Sequence, residues 1–496
     1  MEVRFSLVDL WTLVIGVCTF LLVYIATRRP AMVPPGPFIW PVVGNLPSFA
    51  GDTIEKMQNL RLKYGDIFGL YMGSSLTIIV SGYDAVKEVM VKRGTTFSWR
   101  PESDFIMKNN PTCLALANGR TWKDNKRFAL NAIQTLCLNK GRVPFEKSLT
   151  EELSFLVEKL KATTGPVDIG KDIDVSIPNV LCLILTGVRP GYSDKKLKDH
   201  IQLITRHAKN FMRDQALVNS LPLLNWLPHG MFSKYEKDNR AYRDYYEAFG
   251  PYIDATYAKG KETCLAHLLM TRYNANGNTT WQEIVEQNSA AWIMMHEIMG
   301  AGTGTTTTAI KWILLYLIRE PQVQEQVRRE IDKVIGKGEA PTLSHRKKLP
   351  YVEAVIMEGL RIGHPVPFPL PHSVEEDTTL GGFPIPRNTH VLANLVSVLK
   401  DPAIFPEPDA FKPERFLNED GDSVVVPDEF IPFSKGPRSC PGESLSRLEL
   451  FFYITTLLQK FQFLCPDGQS LPEVKGLSGL MYSPKPYKVK IIPRQV

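Results

Sequence analysis

Apolar side chains recur close to every 3.6 positions in IEKMQNLRLKYG (54–65), YDAVKEVMVKRG (83–94) and LTEELSFLVEKLKATTG (149–165), which predicts amphipathic helices there. Between the first two lie IFGLYMG and LTIIVSG, whose β-branched and aromatic content predicts short strands. From about residue 280 to 362 nearly all of the chain reads as helix, broken by GEAPTLSHRKKLP. Proline-rich strand and loop text then runs to about 435. ESLSRLELFFYITTLLQKF predicts one more long helix before a strand-rich tail. No internal repeat and no low-complexity linker interrupts this order, so the expected class is mainly α with small β-sheets, α+β, in one large domain over 38–496.

The N-terminus departs from the amphipathic pattern. Leu10 to Thr27 is an uncharged apolar run of 18 residues, close to the ~20 that span a bilayer. Arg28 and Arg29 follow it, whereas a cleaved signal peptide would place its charge first. The expectation is a transmembrane anchor over 1–29 with the bulk of the chain on the cytosolic side. Pro30, Pro34, Pro35 and Pro37 cannot continue that helix, so 30–37 reads as a stiff proline-rich hinge.

With 496 residues and 44% apolar content the chain can bury a large core. A net charge of +6 is modest and spread out, without an arginine-rich tract, which argues against nucleic acid as a partner. The seven cysteines, at 18, 113, 137, 182, 264, 440 and 465, stand singly with no C-x-x-C, a pattern suited to a reducing compartment.

Two stretches carry candidate chemistry. MGAGTGTTTTAI (299–310) sets three glycines and five threonines inside an apolar helix. Each glycine costs a helix interior about 1 kcal/mol relative to alanine, so close approach or free hydroxyls must be needed there. The run fails the dinucleotide and phosphate-loop patterns, because Thr305 stands where the last glycine belongs and no strand precedes it. FSKGPRSCPGES (433–444) places Cys440 at the start of the last long helix, with Pro441 expected at its first helical position. The helix N-terminus, Arg438 and Lys435 are expected to favour a thiolate, making Cys440 a metal ligand or nucleophile. The other six cysteines read as small buried hydrophobes.

Phe433, Gly436, Arg438, Cys440 and Gly442 match F-x-x-G-x-R-x-C-x-G, and on these residues the chain resembles the cytochrome P450 superfamily. Glu358 and Arg361 match that family's E-x-x-R, and FKPERF supplies Arg415 for its structural Glu-Arg-Arg network. Glu325 and Arg328 also match E-x-x-R, as an exposed one-turn pair of small consequence. The glycine-threonine run followed by tryptophan, NVLCLIL, and PERFLN with GPRSC resemble the animal microsomal branch that includes steroid hydroxylase/lyases and aryl-hydrocarbon hydroxylases.

The resemblance implies haem b with Cys440 as its axial thiolate, whose electron donation favours O–O cleavage. It also implies that Trp122, Arg438 and His372 hold the haem propionates, with His372 equally readable as a satisfied loop histidine. The family's W-x-x-x-R has Lys126 at the arginine position and Arg127 next to it, so charge is kept while the planar fork is lost or supplied by the neighbour. MGAGTGTTTTAI corresponds to the helix crossing the haem, where relatives read A-G-x-(D/E)-T-(T/S). Thr305 is then the alcohol of an acid–alcohol proton relay, and Gly304 stands in place of the acid. A positioned proton donor contributes about 10²- to 10⁴-fold to a rate. Glu297, seven residues earlier, lies about 20° off the same face and about 10 Å along the helix, within reach through water; alternatively it faces solvent or substrate.

The activity implied is monooxygenation of a lipophilic small molecule, steroid-like or aromatic, at the endoplasmic reticulum membrane. Electrons would come from NADPH through cytochrome P450 reductase, with cytochrome b5 as a second donor. Lys123, Lys126, Arg127 and Lys435 are candidates for the basic face meeting that acidic partner. Two alternatives follow from Gly304: a haem-thiolate isomerase or dehydratase of peroxides, and a catalytically weak haem- or lipid-binding protein.

Overall fold

The computed structural model describes residues 29, 32–41, 43–46, 51–73, 75–102, 114–138, 143–206, 231–259, 263–273, 279–287 and 289–494, with scattered positions between 11 and 19. Most of the segment Leu10 to Thr27 lies outside these residues. Among the described residues no helix is long and apolar enough to cross a membrane.

Eight helices frame the site: α1 (Thr53–Tyr64), α2 (Gly119–Ile133), α3 (Val143–Lys161), α4 (Gly170–Thr186), α5 (Ser289–Arg319), α6 (Pro321–Val334), α7 (Pro350–Gly363) and α8 (Glu443–Lys460). Small sheets flank them: β1 (Ile67–Met72), β2 (Ser75–Val80) and β5 (His390–Ala393) form one, β3 (Thr378–Leu380) and β4 (Phe383–Ile385) a hairpin, and β6 (Phe461–Leu464) pairs with β9 (Lys490–Pro493). A last hairpin joins β7 (Gly476–Ser478) to β8 (Tyr482–Pro484).

α5 has no sustained polar face because it is packed nearly all round, by α4, α7, α8 and β8. Ile313, Leu314, Leu315 and Leu317 within it are completely buried. The first sheet ties distant parts of the chain together: β1 and β2 are antiparallel with Ile67 opposite Val80, and β2 runs parallel to β5 with Thr77 opposite His390. α1 starts where Asp52 caps it, Oδ1 accepting from the amides of Ile54 and Glu55 at 3.0 and 3.3 Å.

The proline segment behaves differently from a free linker. Arg29 donates to the carbonyls of Pro34 (2.6 Å), Pro37 (3.1 Å) and Gly69 (3.0 Å), and the Gly69 amide donates to Pro35 O at 2.8 Å. Arg29 and residues 34–37 are therefore docked along β1.

Candidate active site

The cysteine loop is built on backbone that only a few residues tolerate. Ser434 and Gly436 have φ of 62° and 78°. A Cβ at Gly436 would sit 1.7 Å from the Met90 carbonyl oxygen, so no other residue fits. The turn is closed by Ser439 N donating to Gly436 O and Cys440 N to Phe433 O, both at 3.0 Å. Helix α8 begins at Glu443, with Gly442 as its N-cap, so Pro441 falls in the turn before it and not at the first helical position.

Cys440 is exposed by surface area, yet burial pushes its thiol pKa up. Both hold if the thiol faces an internal space enclosed by protein. The amides of Gly442 and Glu443 and the Lys126 ammonium pull the pKa back down, the Glu443 carboxylate opposes them, and burial prevails. The expectation that Arg438 and Lys435 favour thiolate is thus corrected. Arg438 is turned to neighbouring carbonyls, and Lys435 is paired with Asp428 at 2.9 Å. A bound cation is what a thiolate at this position requires.

Cationic side chains gather beside the loop. The Arg438 guanidinium lies 3.8 Å from the Trp122 ring centre and donates to Ser98 O (2.7 Å), Ala117 O (2.8 Å) and Asn118 Oδ1 (3.2 Å). Lys126 donates to Pro437 O and, at 3.3 Å, to Ser439 O, so it braces the cysteine loop from α2. That engagement removes Lys126 from the expected docking face, as pairing with Asp428 removes Lys435; Lys123 and Arg127 remain exposed. Burial, then Arg438, lowers the Lys126 pKa. His372 is buried, with its Nδ1 2.7 Å from Phe97 O, and burial followed by Arg100 holds its pKa down at about 3. It is therefore a neutral hydrogen-bonding group at pH 7, which accords with the satisfied-histidine reading.

Arg100 belongs to this group although the sequence reading passed over it. It is 6% exposed and donates to the carbonyls of Ala115 (3.1 Å), Leu370 (2.6 Å) and Pro371 (2.8 Å). Its signal was the Trp-Arg-Pro step after Phe97 and Ser98, an extended backbone that aims the guanidinium inward.

The other wall is α5. Glu297, Ala301 and Thr305 share one face at four-residue spacing; Ala301 is exposed and the other two partly so, while Thr306, Thr307 and Thr308 are buried. Thr306 Oγ1 meets Ser446 Oγ on α8 at 3.3 Å, six residues after Cys440, which holds the open face and the cysteine in register. Thr305 Oγ1 donates back to Ala301 O at 2.6 Å. Glu297 is not poised over that face. Its two oxygens accept from the amides of Leu114 (2.5 Å) and Ala115 (3.0 Å), so the carboxylate ties the 114–115 backbone to α5.

Gly304 has a physical reason to be glycine. A Cβ there would lie 2.6 Å from both Cε and Sδ of Met481, at the turn of the β7–β8 hairpin. The hairpin is pinned to α5 just beyond that contact: Thr308 Oγ1 is 2.9 Å from Ser483 Oγ, and Trp312 Nε1 donates to Tyr482 O at 2.8 Å. The volume expected for an acid is filled by a thioether.

Glu358, Arg361 and Arg415 meet as one network. Arg361 grips Glu358 through Nε (2.6 Å) and Nη2 (2.8 Å) and donates to Leu399 O and Pro408 O. Arg415 Nε adds a bond to Glu358 Oε1 at 3.1 Å. The side chains of Glu358 and Arg361 are both 0% exposed, whereas the rival pair Glu325 and Arg328 is 44% and 19% exposed. Burial separates the structural network from the surface pair.

The residues fit a haem. A lone cysteine is accessible yet desolvated by protein, α5, tied by Thr306 to Ser446 beyond it, has an open face of small and hydroxylated side chains, and Arg100, Lys126 and Arg438 bring positive charge suited to two carboxylates. The family model for cytochrome P450 matches residues 34–491. Among similar proteins, cytochrome P450 2J2 of Homo sapiens is 32% identical, over 97% of this chain and 96% of its own length. Cytochrome P450 2U1 of Homo sapiens is 30% identical, over 95% and 91%. Steroid 17-alpha-hydroxylase/17,20 lyase of Macaca fascicularis is 33% identical, over 92% and 91%. Fold, cysteine loop and full-length similarity agree that the chain belongs to the cytochrome P450 family, whose members bind haem through a cysteine thiolate and act as monooxygenases.

Proposed function

We propose that the chain oxidises a lipophilic small molecule, steroid-like or aromatic, with O2 and electrons from NADPH delivered by cytochrome P450 reductase. Cytochrome b5 is the second candidate donor. The single observation that carries this reading is Cys440, accessible on a rigid loop although protein desolvates it, with Thr306 of α5 held to Ser446 six residues further on. Haem b, when bound there, supplies the oxygen chemistry. Cys440 Sγ would hold it; Phe433, Gly436 and Gly442 shape the loop. Arg438, Lys126 and Arg100 would receive the carboxylates, Trp122 stacks under Arg438, and neutral His372, its N–H given to Phe97 O, braces the neighbouring backbone. Glu358, Arg361 and Arg415 hold the backbone beneath. On the distal side Ala301 leaves room for substrate and Thr305 offers a hydroxyl. The steroid option draws on likeness to the 17-alpha-hydroxylase/17,20 lyase.

The same reading makes 1–29 a single membrane span in the endoplasmic reticulum, 30–37 the connection, and 38–496 the cytosolic catalytic domain. Lys123 and Arg127 are the exposed cations offered to the reductase. The test is NADPH and O2 consumption by the full-length chain with purified reductase across a panel of steroids and polycyclic aromatics. Substrate-dependent consumption with hydroxylated product is expected. Conversion of an organic hydroperoxide without NADPH, with no NADPH-dependent product, would favour the isomerase reading instead.

A further inference from the structure

A cleft separate from the cysteine loop opens where the start of α1, the second half of α5, the end of α7 and the β7–β8 hairpin meet. It measures about 150 Å³, and neither Cys440 nor Thr305 lines it. One wall is a run of stacked rings. His364 lies on Tyr482 at 5.1 Å between ring centres, Tyr482 on Trp312 at 5.6 Å and Trp312 on Tyr316 at 6.1 Å, with planes 13°, 19° and 29° apart.

His364 is the unusual member of this wall. It ends α7 at φ 32°, just before Pro365, and is only 4% exposed. Neither of its ring nitrogens has a hydrogen-bond partner among the described residues. Burial, then Lys400, holds its pKa well below 6.5 against the pull of the Ile362 and Arg361 backbone, which lies near the ring without bonding geometry. The ring is therefore neutral at pH 7, with one N–H to give and one bare nitrogen that accepts. Leaving both unused is costly, and the ring borders a space that can hold a partner.

Charge at the mouth selects the sign of that partner. Asp52 and Glu55, at the start of α1, line the cleft beside a single cation, Lys400, which is paired with Asp409 at 2.8 Å. An anion would meet two carboxylates, and the helix amides that could attract it are spent, since those of Ile54 and Glu55 donate to Asp52 Oδ1. Nor does a metal ion fit: among the described residues no three His, Cys, Asp or Glu side chains converge to hold one. Size sets the rest. A cavity of about 150 Å³ holds a benzene-sized ring, well short of the ~300–1,000 Å³ that takes drug-sized ligands.

We propose that this cleft binds a small aromatic amine, its ring against Tyr482, Trp312 and Tyr316, and its ammonium donating to the bare nitrogen of His364 in the field of Asp52 and Glu55. No covalent bond forms or breaks, and the inference stands apart from the oxygen-activating reading above. Tyr482 follows Met481, so an occupant bears on the hairpin that packs against Gly304.

The probe is benzylamine, titrated calorimetrically into the full-length, haem-loaded protein in its reduced, carbon monoxide-bound form, which keeps the amine off the iron. Saturable binding with a dissociation constant on the order of 1 mM is expected for so small a ligand. Benzyl alcohol has nearly the same shape without the charge and should bind about tenfold more weakly; benzoate should show no binding. His364→Leu removes the acceptor and should weaken benzylamine by about tenfold or more. Val474→Trp, at a rim position that is 43% exposed and tolerant of change, should fill the mouth and abolish binding. Amine bound elsewhere, in substrate space or at the iron, would survive Val474→Trp. Absence of benzylamine binding, equal affinity for all three compounds, or parental affinity in either variant overturns the proposal. Should His364→Leu fail to fold, Val474→Trp and the three compounds decide it.

Discussion

Adding one methyl group at Gly304 tests whether the thioether occupies the place of the family's acid. Glycine to alanine in a helix interior ordinarily stabilises by about 1 kcal/mol. Here the new Cβ would lie 2.6 Å from Met481 Cε and Sδ, roughly 1 Å inside ordinary contact. Overpacking costs about 1–3 kcal/mol, and a methionine end moves readily, which favours the lower part of that range. Gly304→Ala is therefore expected to be neutral to destabilising by about 2 kcal/mol. In a Met481→Ala background the same change should recover its gain of about 1 kcal/mol, giving a coupling of about 1–3 kcal/mol. Denaturant midpoints of the four proteins, followed by circular dichroism, measure it. Equal stabilisation by Gly304→Ala in both backgrounds would refute the contact. For function, Gly304→Glu alone is expected to displace Met481 and lower turnover, and to improve product per NADPH only when combined with Met481→Ala.

Arg361→Ala should cost about 3–5 kcal/mol, because it strands a completely buried Glu358, and should prevent stable haem incorporation; Arg328→Ala, in the partly exposed pair, should cost about 1 kcal/mol or less. Lys126→Met removes two charged hydrogen bonds to the cysteine loop, together about 3–6 kcal/mol; faster haem transfer to an apoprotein acceptor is the readout. Glu297→Ala should release the 114–115 backbone from α5, seen as faster amide exchange at Leu114 and Ala115 with the carbon monoxide spectrum unchanged.

Local pattern carried much of this site. The Cys440 loop, the Glu358–Arg361 pair and the helix bearing Thr305 are contiguous text; helical period sets out the helices, and the resemblance to the family's motifs picks out these residues on them. Contacts between distant segments were not legible. Nothing near Gly304 points to Met481, because the hairpin turn that brings it in lies in the tail. Electrostatics misled where burial decides: the loop's cations suggested a thiolate, while enclosure of Cys440 pushes its pKa up and Lys435 is spent on Asp428. Glu297 read as a relay acting through water or as a residue facing solvent or substrate; its tether is to backbone amides, which no side-chain pattern reveals.

The central claim is that Cys440 holds a haem through its thiolate. The reduced, carbon monoxide-bound spectrum of the purified full-length protein, beside that of Cys440→Ala, tests it most directly. The account expects the red-shifted Soret band of thiolate ligation in the parent and its complete loss in Cys440→Ala, with Cys465→Ala, whose Sγ bonds the carbonyls of Gln469 and Ser470, unchanged. Retention of that band in Cys440→Ala, or its absence from a folded, haem-loaded parent, would contradict it.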